Sequence, residues 1–489
     1  MSSHESSSTK PGAGSGTTDG RRIPLLYILG GCGLLVTHLA LLLLSFEFAY
    51  GSALASRPHR ALVIIEMAAG GIYLLTVLRP QTFGKRGWTL LWIVVVGLAM
   101  RGFMFPSLPV MEDDHYRYMW DGAVLAHGMN PYEFSPEEAA EGRAAGKTLP
   151  QKLHKLGLQS GKTLGRVNHP YLRTIYPPVA QLGFAPAHLV APWSLTGWRL
   201  ILLVCDLVTL GLLIKLLASL GLPLASSAIY WWNPLLVKEL FNSAHMEGLL
   251  LPFLAGALLL AVKRRHMWAA ACLALAAGVK FWPVLLLPFL LRDTLPKWRR
   301  GLAAIAVFAA VAALVLSPFV TAIPGQNSGF MAYGRRWEMN DALFMLFVWG
   351  LRPLQDSLGV SAQMGARVIV AFLLCAWVGW LWWKPIRNRM DLCRRCLMAI
   401  AALFLLSPTQ FPWYYTWMLP LLAVSPRLSL LLLTFLLPLY YLRFYFVSLD
   451  NVGLFDNWLV WVEYIPVWIL LVWEALRRRS PWLEVKQVE

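Results

Sequence analysis

Four carboxylates crowd into ten positions at Glu112-Asp113-Asp114-His115-Tyr116-Arg117-Tyr118-Met119-Trp120-Asp121. The run follows an apolar stretch and opens the longest polar segment of the chain. Carboxylates beside a membrane are costly unless they pair, bind metal or do chemistry. On a helix, Asp114, Arg117, Tyr118 and Asp121 share one face, because residues three and four apart are neighbours. Asp113 or Asp114 is then placed to take a proton from an acceptor hydroxyl, while its neighbour holds Arg117 or a divalent metal. A general base must come within about 3 Å of the proton donor, so it needs a rigid perch such as a helix end. The competing role is structural: the acids cap a helix N-terminus or pair with basic residues of the following loop. Asp121, before Gly122, reads also as a helix stop or cap.

Three further groups carry polar chemistry. Asn233-Pro234, Lys238-Glu239, Asn242, His245 and Glu247 precede an apolar run at Gly248–Ala261. They either cap that helix or, through His245 and Glu247, bind sugar hydroxyls or phosphate. Lys280 stands alone in Gly278-Val279-Lys280-Phe281-Trp282-Pro283, and Arg335-Arg336 form a pair before Trp337. A cation at membrane depth is usually partnered, and a lipid phosphate is a natural partner. The simpler readings are a snorkelling Lys280 and a headgroup contact for the arginines. Trp413-Tyr414-Tyr415-Thr416-Trp417 is an aromatic belt or a wall that stacks on a sugar or an isoprenoid chain. No phosphate-binding loop, dinucleotide fingerprint, zinc-protease motif or nucleophile elbow occurs.

The elements that must hold these residues are apolar. The chain has 489 residues, 57% of them hydrophobic, with a mean hydropathy of +0.56. Charged residues make up 14%, against about 25% in a soluble domain. Continuous runs approach the roughly 20 residues that span a bilayer. The fold class is therefore an all-α polytopic membrane protein, and a barrel is excluded because the runs do not alternate. The net charge of +17 collects in Arg21-Arg22, Arg79 to Arg86, Lys263-Arg264-Arg265, Arg292 to Arg300, Lys384 to Arg395 and Arg477-Arg478-Arg479. Such clusters mark cytoplasmic ends, and without a basic face interleaved with aromatics they do not indicate nucleic acid. Six scattered cysteines give no disulfide framework, and Cys393-Arg394-Arg395-Cys396 lacks the four ligands of structural zinc.

The Ser- and Gly-rich residues 1–20 read as a disordered cytoplasmic tail, and residues 480–489 as a second tail. Residues 21–479 form one transmembrane domain. Three spans deliver residues 106–175 to the outer face as a long loop with surface helices. Four apolar segments follow between 178 and 262, and parity requires that one of them does not cross. A hairpin of half-helices over 268–291 puts Lys280 at its outward tip. The tip at Ser407–Tyr415 faces the same way.

These pieces, in order, resemble the GT-C superfamily of polytopic glycosyltransferases. Asp113-Asp114 followed by Arg117-Tyr118, then Gly128-Met129-Asn130-Pro131-Tyr132, Tyr176-Pro177-Pro178, Trp232-Asn233-Pro234, His245-Met246-Glu247 and Gly278-Val279-Lys280 are similar to the bacterial branch of polyprenol-phosphate-mannose-dependent mannosyltransferases. The chain departs at Glu247, where the family commonly has Asp, and at Phe411, where it often has His. The resemblance implies a GT-C-like bundle of about 11–13 transmembrane or re-entrant helices in a bacterial cytoplasmic membrane, with the active site on the outer face. It implies transfer of a hexose, mannose first, from a polyprenyl phosphate to a glycan, glycolipid or protein acceptor, with inversion and an Asp base. The spacing to Arg117-Tyr118 favours Asp114 over Asp113. Lys280, Arg335, Arg336 and Arg117 are the candidate phosphate ligands. His245, Glu247, Asn130, Tyr176 and Tyr414 are the candidate sugar and acceptor contacts. The resemblance settles no cofactor, and a divalent metal at Asp113 stays open. The rival is a lipid or sugar transporter without glycosyl transfer, which the long outer loop and the lack of a duplicated half count against.

Overall fold

The computed structural model describes residues 23–78, 87–144, 146, 148–320 and 328–477. The expected tails 1–20 and 480–489 lie outside these residues, as do Arg21-Arg22, residues 79–86 and Arg478-Arg479. Among the described residues, eight helices are long and apolar enough to cross a membrane. Isolated bridges join Arg173 to Ser328 and Met339 to Thr409.

Helices α1 (Leu25–Ser45), α2 (His59–Val77) and α3 (Gly87–Met104) open the bundle. Three short helices occupy the expected outer loop: α4 (Asp114–Ala126), α5 (Pro136–Glu141) and α6 (Gln151–Gln159). A capping box starts α5, with Ser135 and Glu138 each binding the other's backbone N–H. These helices bury a small core of their own, in which Trp120, Ala123 and Val124 of α4 meet Leu153, Leu156, Leu164 and Val167.

The parity puzzle resolves at α7 (Pro178–Val190). Thirteen residues span about 20 Å, short of the roughly 30 Å hydrocarbon core. Instead of crossing, α7 runs alongside α4. The contact is close because position 122 is glycine: a Cβ there would lie 2.5 Å from the Phe184 carbonyl oxygen. Asp121 and Gly122 therefore do not stop the helix. The chain continues as α8 (Leu195–Ser219), long and apolar enough to cross, then a broken segment over 224–242 and the shorter apolar helix α9 (Glu247–Val262).

The hairpin at 268–291 forms as expected. Helix α10 (His266–Ala277) ends at Gly278, and short turns at Trp282–Leu286 and Leu287–Leu290 bring the chain back. The His266 ring nitrogen lies 3.2 Å from the Leu290 carbonyl, closing the two ends. Gly278 is needed at the tip, since its carbonyl accepts the Val179 N–H at 3.0 Å and a Cβ would lie 2.4 Å from Val179. Then come α11 (Trp298–Val320), α12 (Gly329–Arg336), α13 (Leu343–Leu351), α14 (Ala362–Trp383), α15 (Arg389–Leu406), a second broken return over Pro412–Met418 and Leu419–Val424, and α16 (Val460–Leu476).

Candidate active site

The acids sit where the outer-loop helices meet the bundle. Asp113 occupies the N-cap position of α4, yet its side chain makes no capping bond. Asp113 and Asp114 instead turn into a cavity of about 470 Å³. The face anticipated for α4 forms as two i,i+4 pairs. Tyr118 Oη donates to Asp114 Oδ2 at 3.4 Å, and Arg117 Nε donates to Asp121 Oδ1 at 3.0 Å. Gln181 of α7 donates to the other Asp121 oxygen at 3.2 Å, and Arg117 also holds the Leu172 carbonyl at 2.9 Å. Asp121 is thus consumed in a buried ion pair that fixes Arg117 at the cavity wall.

One amide joins the two acids. Asn168 Nδ2 donates to Asp113 Oδ1 at 2.8 Å and to Asp114 Oδ1 at 3.1 Å. Burial first, then the neighbouring Asp114 charge, pushes the Asp113 carboxyl up to about 6, against the Asn168 hydrogen bond. Burial raises Asp114 as well, and Asn168, Lys280 and Tyr118 oppose it. Desolvation disfavours the charged form, while hydrogen bonds to the carboxylate favour it. A carboxyl held near neutrality is suited to proton transfer, provided it also has access to substrate. Asp114 keeps 28% of its side chain exposed at the cavity.

Lys280 and Glu247 form an ion pair on the cavity wall. The ammonium also lies 3.9 Å from the ring centroid of Tyr414 and 5.1 Å from that of Trp417. Trp413 is not a lipid-facing belt residue, being 6% exposed; it stacks on His245 at 3.8 Å. His245 itself is fully buried behind the wall. Its Nδ1 lies 3.9 Å from Asp114 Oδ2, and its Nε2 lies 3.6 Å from Glu239 and 4.0 Å from Glu112. Helix α12 covers the cavity with Phe330, Tyr333 and Gly334. Tyr333 Oη meets Tyr414 Oη at 2.7 Å and Thr409 Oγ1 at 3.1 Å.

The cavity therefore gathers Asp113, Asp114, Arg117, Tyr176, Glu247, Lys280 and Tyr414. Other candidates stand apart. Arg335 is exposed and outside the cavity lining, and the side chain of Arg336 is not among those described. Asn130 is exposed, and its Oδ1 accepts the Tyr132 N–H at 3.0 Å, as a turn residue does. Sequence reasoning missed Asn168, Arg173 and Tyr333. Nothing in the sequence signals Asn168, which lies 54 positions from Asp114. Among the described residues, no group of three or more His, Cys, Asp and Glu is arranged to hold a metal ion.

Residues 174–408 match the model of glycosyltransferase family 87, and residues 354–475 match that of the MptB C-terminal domain. The chain is 24% identical over 419 residues to alpha-(1->6)-mannopyranosyltransferase A of Corynebacterium glutamicum, covering 76% of this chain and 77% of that one. It is 24% identical over 367 residues to the Mycobacterium tuberculosis protein of the same name, covering 70% of this chain and 65% of that one. No solved structure matches. Together these likenesses support a polytopic membrane glycosyltransferase of the GT-C type, resembling polyprenol-phosphate-mannose-dependent mannosyltransferases.

Proposed function

We propose that the chain transfers mannose from a polyprenyl phosphate to an acceptor hydroxyl at the outer face of the membrane, with inversion and Asp114 as general base. The observation that carries this reading is the cavity itself. It presents a part-exposed carboxylate, Asp114, and a cation, Lys280, on separate elements within one aromatic-walled chamber. The mannose assignment draws on the activity named for the two relatives.

In this mechanism Asp114 Oδ2 takes the proton of the acceptor hydroxyl. The acceptor oxygen attacks the anomeric carbon from the face opposite the phosphate, and the bond from that carbon to the phosphate oxygen breaks. Polyprenyl phosphate leaves with the bonding electrons. Lys280 stabilises the charge that develops on it, which is where preorganised electrostatics contribute most. Glu247 neutralises Lys280 while the site is empty and yields it to the incoming phosphate. Tyr176 and Tyr414 present aromatic faces on which a pyranose ring stacks. Arg117, locked by Asp121 and the Leu172 carbonyl, keeps a fixed positive charge at the wall.

The sidedness follows from charge. The cavity is built from the 106–175 loop, the Lys280 tip, α12 and the Ser407–Phe411 tip. Lys263 to Arg265, Arg292 to Arg300 and Lys384 to Arg395 lie at the other ends of the helices that reach it. Basic ends stay cytoplasmic, so the cavity opens outward and meets a donor displayed in the outer leaflet. The test is transfer by the purified full-length protein in lipid nanodiscs. Radiolabelled mannose should pass from polyprenyl phosphate-mannose to an acceptor extracted from the native envelope. Transfer from a nucleotide sugar but not from the lipid donor would refute the reading.

A further inference from the structure

The long outer loop needs a physical reason, and its small core supplies one. Helix α4 is gripped on two sides. One side meets α7 through Tyr118, stacked on Phe184 at 4.8 Å, and through the contact that Gly122 permits. The other side meets the loop's own core, which ends at Leu164 and Val167. The residue after Val167 is Asn168, so the core that clasps α4 also delivers this amide to the acids at the helix start. Arg117 secures the following turn through the Leu172 carbonyl.

We propose that Asn168 is the positioning residue of the acidic pair, and that the outer-loop core exists to aim it. A carboxamide NH₂ carries two hydrogens, one for Asp113 Oδ1 and one for Asp114 Oδ1. The opposite amide orientation would point a carbonyl oxygen at two carboxylates, so the bonding pattern fixes the rotamer. With Oδ1 of each acid held, Asp114 Oδ2 is turned towards Tyr118 and the cavity, where the acceptor hydroxyl has to approach. Two adjacent carboxylates repel, and a shared donor keeps them in one arrangement with Oδ1 of each turned to Asn168.

The role rests on the glycosyltransferase reading, but its test need not. A lipophilic carbodiimide modifies protonated buried carboxyls, and mass spectrometry reads the modification of Asp113 and Asp114 against pH in the full-length protein in nanodiscs. Asn168→Ala removes a donor from both carboxylates, and Asn168→Asp is nearly isosteric and adds a third acid. Each should shift the midpoint of modification to higher pH than in wild type, because hydrogen bonds to a carboxylate favour its charged form. The other groups facing the pair, namely Glu112, Arg117, Tyr118, His245, Glu247 and Lys280, are unchanged in these variants. Turnover with polyprenyl phosphate-mannose should fall by about 10- to 100-fold at neutral pH through misplacement of the base, and the acid limb of the rate profile should shift upward with the labelling midpoint. A midpoint that stays at the wild-type value in both variants overturns the proposal. A shifted midpoint in a protein whose wild type does not transfer mannose supports the clamp and refutes the donor assignment instead.

Discussion

Asp114→Asn should abolish turnover while leaving the fold and donor binding in place. The structure says what the substitution keeps. Asp114 Oδ1 accepts from Asn168 at 3.1 Å, and an amide oxygen still accepts there as a neutral, weaker partner. Tyr118 Oη, which donates to Oδ2 at 3.4 Å, can rotate to accept from the new NH₂. Both contacts survive with near-identical volume, so the main loss is the capacity to take a proton. Removing a general base costs about 10²- to 10⁴-fold, which is about 2.7–5.4 kcal/mol of transition-state stabilisation at 1.36 kcal/mol per decade. Asp113→Asn also keeps an amide oxygen for Asn168, so it weakens a charge-assisted hydrogen bond without removing the base. Going from about 1.5–3 kcal/mol for a charged partner to about 0.5–1.5 for a neutral one should cost about tenfold. The assay is single-turnover transfer from polyprenyl phosphate-mannose by each purified variant, with donor affinity measured separately. If Asp114→Asn retains more than a tenth of wild-type turnover, or if Asp113→Asn is the more damaging change, the assignment of the base is wrong.

Three other outcomes follow from the same geometry. Because burial raises the Asp114 carboxyl above its ordinary range, the base gains a proton as the medium is acidified and the transfer rate should fall with it; a rate that does not fall on acidification would refute the titration. Lys280→Ala should raise the KM for the lipid donor by about tenfold, since it removes a cation and leaves Glu247 unpaired beside the incoming phosphate; the reading fails if donor kinetics are unchanged in a variant present at wild-type levels. A cysteine at Gly146, in the outer loop, should react with an impermeant maleimide applied to intact cells, whereas labelling only from the cytoplasmic side would reverse the topology and remove access to an outer-leaflet donor.

The membrane class was fixed by composition, because burying continuous apolar runs leaves few other solutions. The shared face of Asp114, Arg117, Tyr118 and Asp121 follows from the 3.6-residue helical period, and the pairs 114–118 and 117–121 formed as that period requires. The break at Lys280 was visible too, since Gly278 and Pro283 interrupt an otherwise apolar run. What pattern alone left undecided was every matter of partner and depth. Parity demanded one segment that does not cross, and only the folded chain shows the short α7 packed along α4 through the contact that Gly122 permits. His245 looked like a ligand contact; its place behind Asp114, stacked on Trp413, depends on how the 238–242 turn meets the late aromatic tip. Arg335 and Asn130 carried suitable chemistry but face away from the cavity, because side-chain direction is set by the packing of the whole element. Asn168 shows the limit most clearly. A single amide in a polar loop carries no periodic signal, and it becomes part of the site only because its neighbour Val167 packs in the same small core as Trp120, 47 positions earlier. Local rules act within a helical turn, whereas the meeting of residues 113, 114 and 168 is a property of the folded chain alone.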